Sequence, residues 1–383
     1  MIIYNTKLVS HTLISLSFTS LLLLQLLFPI TARPLLSQQS IELEVTFGFE
    51  IDSTNILSGG FEPLGIAVSS DRIFLSYFID VIDQQSIGES GILILDREFR
   101  LIKKITNVAG RNIDPLGLDV FEDRLYVADI SNNSVFILDT TGAFIKQWGT
   151  SGSENGQFSS PRDVAINRHF IYVADNKNNR IQVFNHSQSW IGNGDEFVSD
   201  VKHLAADENK LYSTSTRTNP VTKYDTFVQT ESEWGTAAVL GDGINVGPGE
   251  FNFNAPNGIA VVSPYVFVGD WLAGRIQVFD ESGNYLTDFL SIGNSEYQIE
   301  FLFDLDADEN LIFTIDISKK VIAVFEYGIV QNNTSPIEEL STSNIEVTYT
   351  TYQSSSDRAT LSIHTFVLVG FVALRKLKVN RSN

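Results

Sequence analysis

Cysteine is absent from this 383-residue chain, methionine occurs once and histidine five times. No cysteine means no disulfide, no thiol nucleophile, no zinc–thiolate site and no iron–sulfur cluster. An exported protein of this kind must be held by its core or by closing its sheets into a ring. The histidine supply is almost as restrictive, because a zinc-dependent lyase or hydrolase needs several convergent imidazoles. His11 and His364 fall in the two apolar ends, and His169 and His186 in turns, leaving His203. No Gly-x-Ser-x-Gly elbow is present, and Gly241, Gly243, Gly247 and Gly249 are not followed by the Lys-Ser/Thr pair of a phosphate cradle. Cations are scarce, 26 against 46 acids, for a net charge of −20. Such a surface repels nucleic acid and anionic lipid and favours cations or basic partners.

What the chain does have is repetition. Ser160-Pro161-Arg162-Asp163-Val164-Ala165-Ile166, Ile171-Tyr172-Val173-Ala174-Asp175 and Arg180-Ile181-Gln182-Val183-Phe184 return as Ala255-Pro256-Asn257-Gly258-Ile259-Ala260-Val261, Val266-Phe267-Val268-Gly269-Asp270 and Arg275-Ile276-Gln277-Val278-Phe279. Several short strands repeating every ~40–50 residues indicate a β-propeller. Six inner strands are recognisable, centred on Ile66, Leu118, Val164, Leu204, Ile259 and Leu305. The sixth unit lacks a fourth strand of its own, while Ile41-Glu42-Leu43-Glu44-Val45-Thr46-Phe47-Gly48 precedes the first unit without a partner. The expectation is an all-β, six-bladed propeller of four-stranded blades, its ring closed by that N-terminal strand.

The flanks differ in kind. Lys7 is the only charge before Arg33, and an apolar run at 13–28 precedes Ala32, the best-placed small residue for processing. Residues 1–32 are read as a signal peptide, with an uncleaved signal anchor as the alternative. A second apolar run, 359–374, is followed by Arg375, Lys376, Lys378 and Arg381. At 1.5 Å per residue it spans roughly 24 Å, enough for a membrane anchor once the bilayer thins or the flanking cations snorkel. Residues 331–358, rich in Ser, Thr, Asn and Gln, are read as a stalk between the propeller at 41–330 and the anchor with its basic tail at 359–383. The expected location is the cell surface.

The repeat resembles the NHL family. Its Pro-x-Gly/Asp-Ile-Ala, Tyr-Val-Ala-Asp, Asn-rich turn and Arg-Ile-Gln-Val-Phe pattern stands almost intact at 161–184, is well kept at 256–279 and is recognisable at 115–138. The resemblance implies the six-bladed fold and leaves activity open, since the family includes scaffolds, receptors and lyase-related enzymes.

Strand alternation sets Gly65, Gly117, Asp163, His203, Gly258 and Asp304 as one ring around the axis, and Ala67, Asp119, Ala165, Ala205, Ala260 and Asp306 as the next. Asp163, His203, Asp304, Asp119 and Asp306 are a candidate hard-cation site, with calcium before zinc because oxygen donors dominate. The competing reading is that these carboxylates satisfy backbone donors at the strand entrances. Asp129, Asp175, Asp270 and Asp316 end the second strands and are read as turn caps. Trp271, in a turn, is either a partner anchor or packing for the neighbouring blade. The leading functional expectation is a non-enzymatic binding or scaffold module for a protein or glycan ligand at a propeller face. The alternative is a calcium-dependent hydrolase or lyase using Asp163, His203 and Asp304.

Overall fold

The structure is a computed structural model. It describes residues 41–57, 60–79, 88–194, 200–216, 220–237, 252–289, 299–308 and 310–331. The leader, stalk and C-terminal apolar run lie outside the described residues. Among the described residues no helix is long and apolar enough to cross a membrane.

Six four-stranded antiparallel sheets surround one axis. From axis to rim, blade one comprises Glu62–Val68, Arg72–Ile79, Glu89–Asp96 and Leu101–Ile105, and blade two Pro115–Phe121, Arg124–Asp129, Ser134–Asp139 and Phe144–Trp148. Blade three is Pro161–Ile166, Ile171–Asp175, Arg180–Phe184 and Trp190–Asn193, and blade four Val201–Ala206, Leu211–Ser215, Val221–Tyr224 and Thr230–Trp234. Blade five is Pro256–Val262, Tyr265–Asp270, Arg275–Asp280 and Tyr285–Phe289. Blade six takes Leu302–Ala307, Leu311–Asp316 and Val321–Gln331 from the end of the propeller and Ile41–Asp52 from its beginning.

The closing strand runs past the expected Gly48. Its register continues to Asp52 opposite Val321, with a break between Phe47 and Phe49. A bulge there lets one residue slip out of the ladder while pairing resumes beyond it. Asp52 then caps the short helix Ser53–Ile56, accepting from Thr54 N at 2.7 Å.

The core lies between blades. One apolar cluster fills each of the six interfaces; Tyr126, Phe158, Val164 and Phe184 join blade two to blade three, and Phe267, Leu302, Leu305 and Phe325 join five to six. Every residue of Ile171–Asp175 is buried, because both faces of that sheet are covered by neighbours. The outer strands are the exposed edges, and Lys103, Lys104 and Lys146 there oppose edge-to-edge pairing.

The second-strand aspartates are caps, as the turn chemistry predicts. Asp129 accepts from Asp114 N at 2.9 Å and Asn132 N at 2.8 Å, and Asp316 from Glu300 N at 2.7 Å and Ser318 N at 3.0 Å. Asp175 and Asp270 do the same for Ser159 N and Ala255 N. Asp129, Asp175 and Asp316 also tie the loop entering their blade to the turn leaving the second strand.

Candidate functional site: the axial cavity

Each inner strand breaks register with its partner near its first residues, as between Pro161 and Asp163 and between Leu302 and Asp304. These bulges turn the following residues toward the axis. Asp163, His203 and Asp304 meet there: His203 Nδ1 lies 3.0 Å from Asp304 Oδ1 and 3.5 Å from Asp163 Oδ2. Glycines make room for them. A Cβ on Gly117 would sit 1.9 Å from Asp163 Oδ1, and one on Gly258 would sit 2.8 Å from Asp304 Cα.

The carboxylates staple one blade to the next. Asp163 accepts from Val164 N at 2.8 Å and, across the blade boundary, from Leu204 N at 2.7 Å. Asp304 accepts from Leu305 N at 2.8 Å and Ile66 N at 3.0 Å. One layer along, Asp119 accepts from Val120 N and Ile166 N, both at 2.7 Å, and Asp306 from Ala307 N and Val68 N, also both at 2.7 Å. The same device therefore appears in both rings, with each carboxylate oxygen taking one backbone N–H.

Burial dominates their electrostatics. It raises the Asp163 carboxyl to about 7, with the neighbouring His203 opposing the rise and Asp304 adding to it. It raises Asp306 to about 7, against its two backbone hydrogen bonds. Asp119 is pushed well above the ordinary carboxylate range by burial and then by Asp306.

Arg162 and Phe303 lie beside His203 at one end of the channel. The Arg162 guanidinium lies 6.0 Å from the centre of the Phe303 ring, donates from Nε to Lys202 O at 3.0 Å, and Phe303 meets His203 edge-on at 6.2 Å. Alternation alone did not point to Arg162 or Phe303, since both sit in the entrance bulges where the two-residue period fails. Toward the other end a cavity of about 370 Å³ runs from Asp163, His203 and Asp304 past Asp119 and Asp306 to Phe121, Arg168, Asp207 and Glu208.

Calcium requires six to eight oxygen ligands around one point. Among the described residues no three His, Asp or Glu side chains are grouped to hold a metal ion. Each oxygen of Asp119, Asp163, Asp304 and Asp306 already accepts from a backbone N–H, as a structural staple does. Trp271, half-buried, packs on Phe301 at 6.0 Å, ahead of blade six.

Comparison with known proteins agrees with the architecture. The model of a family described as a 6-bladed beta-propeller matches residues 112–240. The chain is a six-bladed β-propeller. A structural-genomics protein of unknown function from Bacteroides thetaiotaomicron is similar over 75% of this chain and 76% of its own, at 14% identity and a TM-score of 0.53. A catalytically inactive virginiamycin B lyase from Staphylococcus aureus, solved with quinupristin, aligns over 74% of this chain and 99% of its own at 12% identity and a TM-score of 0.48. BamB from Moraxella catarrhalis aligns over 74% of this chain and 100% of its own at 13% identity and a TM-score of 0.42. At such identities the likeness concerns fold alone.

Proposed function

We propose that this propeller is a non-enzymatic binding module displayed at the cell surface, and that its partner is a basic protein held on the face where the cavity opens. One observation carries the reading. The exposed large apolar side chains among the described residues are Leu101, Ile102, Phe144, Ile145, Trp190, Ile191, Phe227 and Leu286. All lie at or just before the first residues of outer strands, in five successive blades.

Antiparallel connection explains their placement. The turn from first to second strand and the turn from third to fourth strand emerge on one face of every blade. The cavity mouth residues Arg168, Asp207 and Glu208 belong to the first kind of turn, and the apolar rim to the second. Phe170 and Phe227, one from each kind of turn, lie 5.3 Å apart. Single exposed apolar residues need no explanation, but a repeated set around one face is a docking feature. The net charge of −20 favours a basic partner, and the Leu and Ile in the rim suit a protein better than the aromatic platforms that stack on sugars.

Display outside the cell, on the stalk and anchor, rests on the two apolar runs and the basic tail. An NHL-type identity for the repeat rests on the motif at 161–184 and 256–279. The metal-dependent hydrolase or lyase alternative is disfavoured by the stapling role of the channel carboxylates.

The test uses intact cells expressing the full chain. Surface crosslinking should capture a partner that is lost on combining Phe144→Ser, Ile145→Ser, Trp190→Ser and Ile191→Ser, and kept with Lys177→Ser on the opposite face. External protease should release the propeller. A partner indifferent to the rim variant, or a propeller shielded from protease, overturns the reading.

A further inference from the structure

The axial cavity has one feature that blade stapling does not use. His203 is 3% exposed, lines the cavity, and its Nε2 has no hydrogen-bond partner. The other ring nitrogen, Nδ1, faces two carboxylates and must carry the proton, because a bare lone pair there would oppose theirs. In the neutral imidazole Nε2 is then an acceptor, and it is buried without a donor. An unsatisfied buried acceptor is costly.

The rest of the lining has the same polarity. Each oxygen of Asp119, Asp163, Asp304 and Asp306 spends one lone pair on a backbone N–H and keeps a second. The cavity is therefore rich in acceptors, and a cation held among these carboxylates would favour their ionised forms. At its mouth the Arg168 guanidinium is directed to Glu208, 3.3 Å away, rather than left to neutralise the interior. A bare ion is too small to bridge acceptors that do not converge on one point. A molecule with several N–H donors on a short carbon frame can reach them in turn, and about 370 Å³ accommodates one.

From this we infer that the cavity is a binding site for a small organic ammonium, with His203 Nε2 accepting from the ligand and the inward lone pairs of Asp119 and Asp306 flanking its charge. The site is distinct from the apolar rim, so it stands whether or not a protein docks there.

The experiment is calorimetric titration of the purified full-length protein with diaminobutane, with butanediol and calcium chloride titrated in parallel. Saturable binding of the diamine at one site is expected, with butanediol and calcium at least about tenfold weaker. Ala206→Trp fills the cavity from a half-buried lining position without replacing a carboxylate, and should abolish binding while leaving the melting temperature near wild type. Ala307→Trp does the same from blade six, should the first variant fail to fold. His203→Phe should weaken the diamine at least about tenfold. Absence of saturable binding, equal binding of butanediol, stoichiometric displacement by calcium, or binding that survives the blocking variants would each overturn the assignment, the last identifying adventitious contact with the acidic surface.

Discussion

Gly117 and Asp163 share one volume: a Cβ on the glycine would lie 1.9 Å from the carboxylate oxygen and 2.6 Å from the Asp163 Cα. The glycine of blade two therefore sets how closely blade three approaches the axis. Gly117→Ala must push backbone as well as side chain, and should cost about 2–4 kcal/mol in urea unfolding. Gly192→Ala, where the new methyl would meet nothing within 4 Å, should change stability by less than about 0.5 kcal/mol. Equal tolerance of the two substitutions would show that the blades can shift freely.

Asp175 is fully buried and accepts from Ser159 N at 2.7 Å, Arg180 Nε at 2.8 Å and Gln182 Nε2 at 3.0 Å. Asp175→Ala leaves these donors without their acceptor, and about 3 kcal/mol of stability should be lost. Asp175→Asn, which keeps one acceptor oxygen, should lose less. Denaturant midpoints at constant slope would measure both.

Stability should depend on pH through the channel carboxylates. A carboxyl raised in the folded state stabilises the fold fully below its unfolded value, near 4, and loses that contribution as pH rises through its folded value. For Asp163 and Asp306 that window runs from about 4 to about 7. Asp306→Asn removes one ionisation, so the gap in unfolding free energy between wild type and variant should narrow across the window, by on the order of 1–3 kcal/mol. A gap that is constant with pH would refute a raised Asp306.

The closing strand should act on the ring as a whole. Deleting residues 41–52 uncovers the edge of Val321–Gln331 and removes Ile51 from the cluster shared by blades six and one. Hydrogen exchange in the deletion variant should accelerate in blade one as well as blade six, and the chain should aggregate through the freed edge. Faster exchange confined to blade six would show that closure is local.

Much of this architecture was legible in residue order. The repeated Tyr-Val-Ala-Asp and Arg-Ile-Gln-Val-Phe runs identified second and third strands, and the missing sixth outer strand pointed to the N-terminal segment. The channel residues were also legible, because a two-residue period carries Asp163, His203 and Asp304 to one side of their strands. The turn-capping role of Asp175 followed from its place at a strand end next to asparagines.

The period stopped being informative at the bulges. Arg162 and Phe303 reach the channel beside His203 through breaks in register, which depend on how the inner strands crowd at the axis. Nor could spacing tell a metal ligand from a staple, because the same aspartate serves either role. The backbone N–H groups of Ile66 and Leu204, donated from neighbouring blades, reveal the staple role.

The sequence by itself determined the number of blades, their strand order and the closure of the ring, because these follow from local periodicity and from one strand left without a partner. Only the tertiary structure decided what the axis contains. Which lone pairs are spent on backbone, which imidazole nitrogen is left over and where the apolar rim faces are set by contacts between blades far apart in the chain, and no local pattern of residues encodes the distance between them.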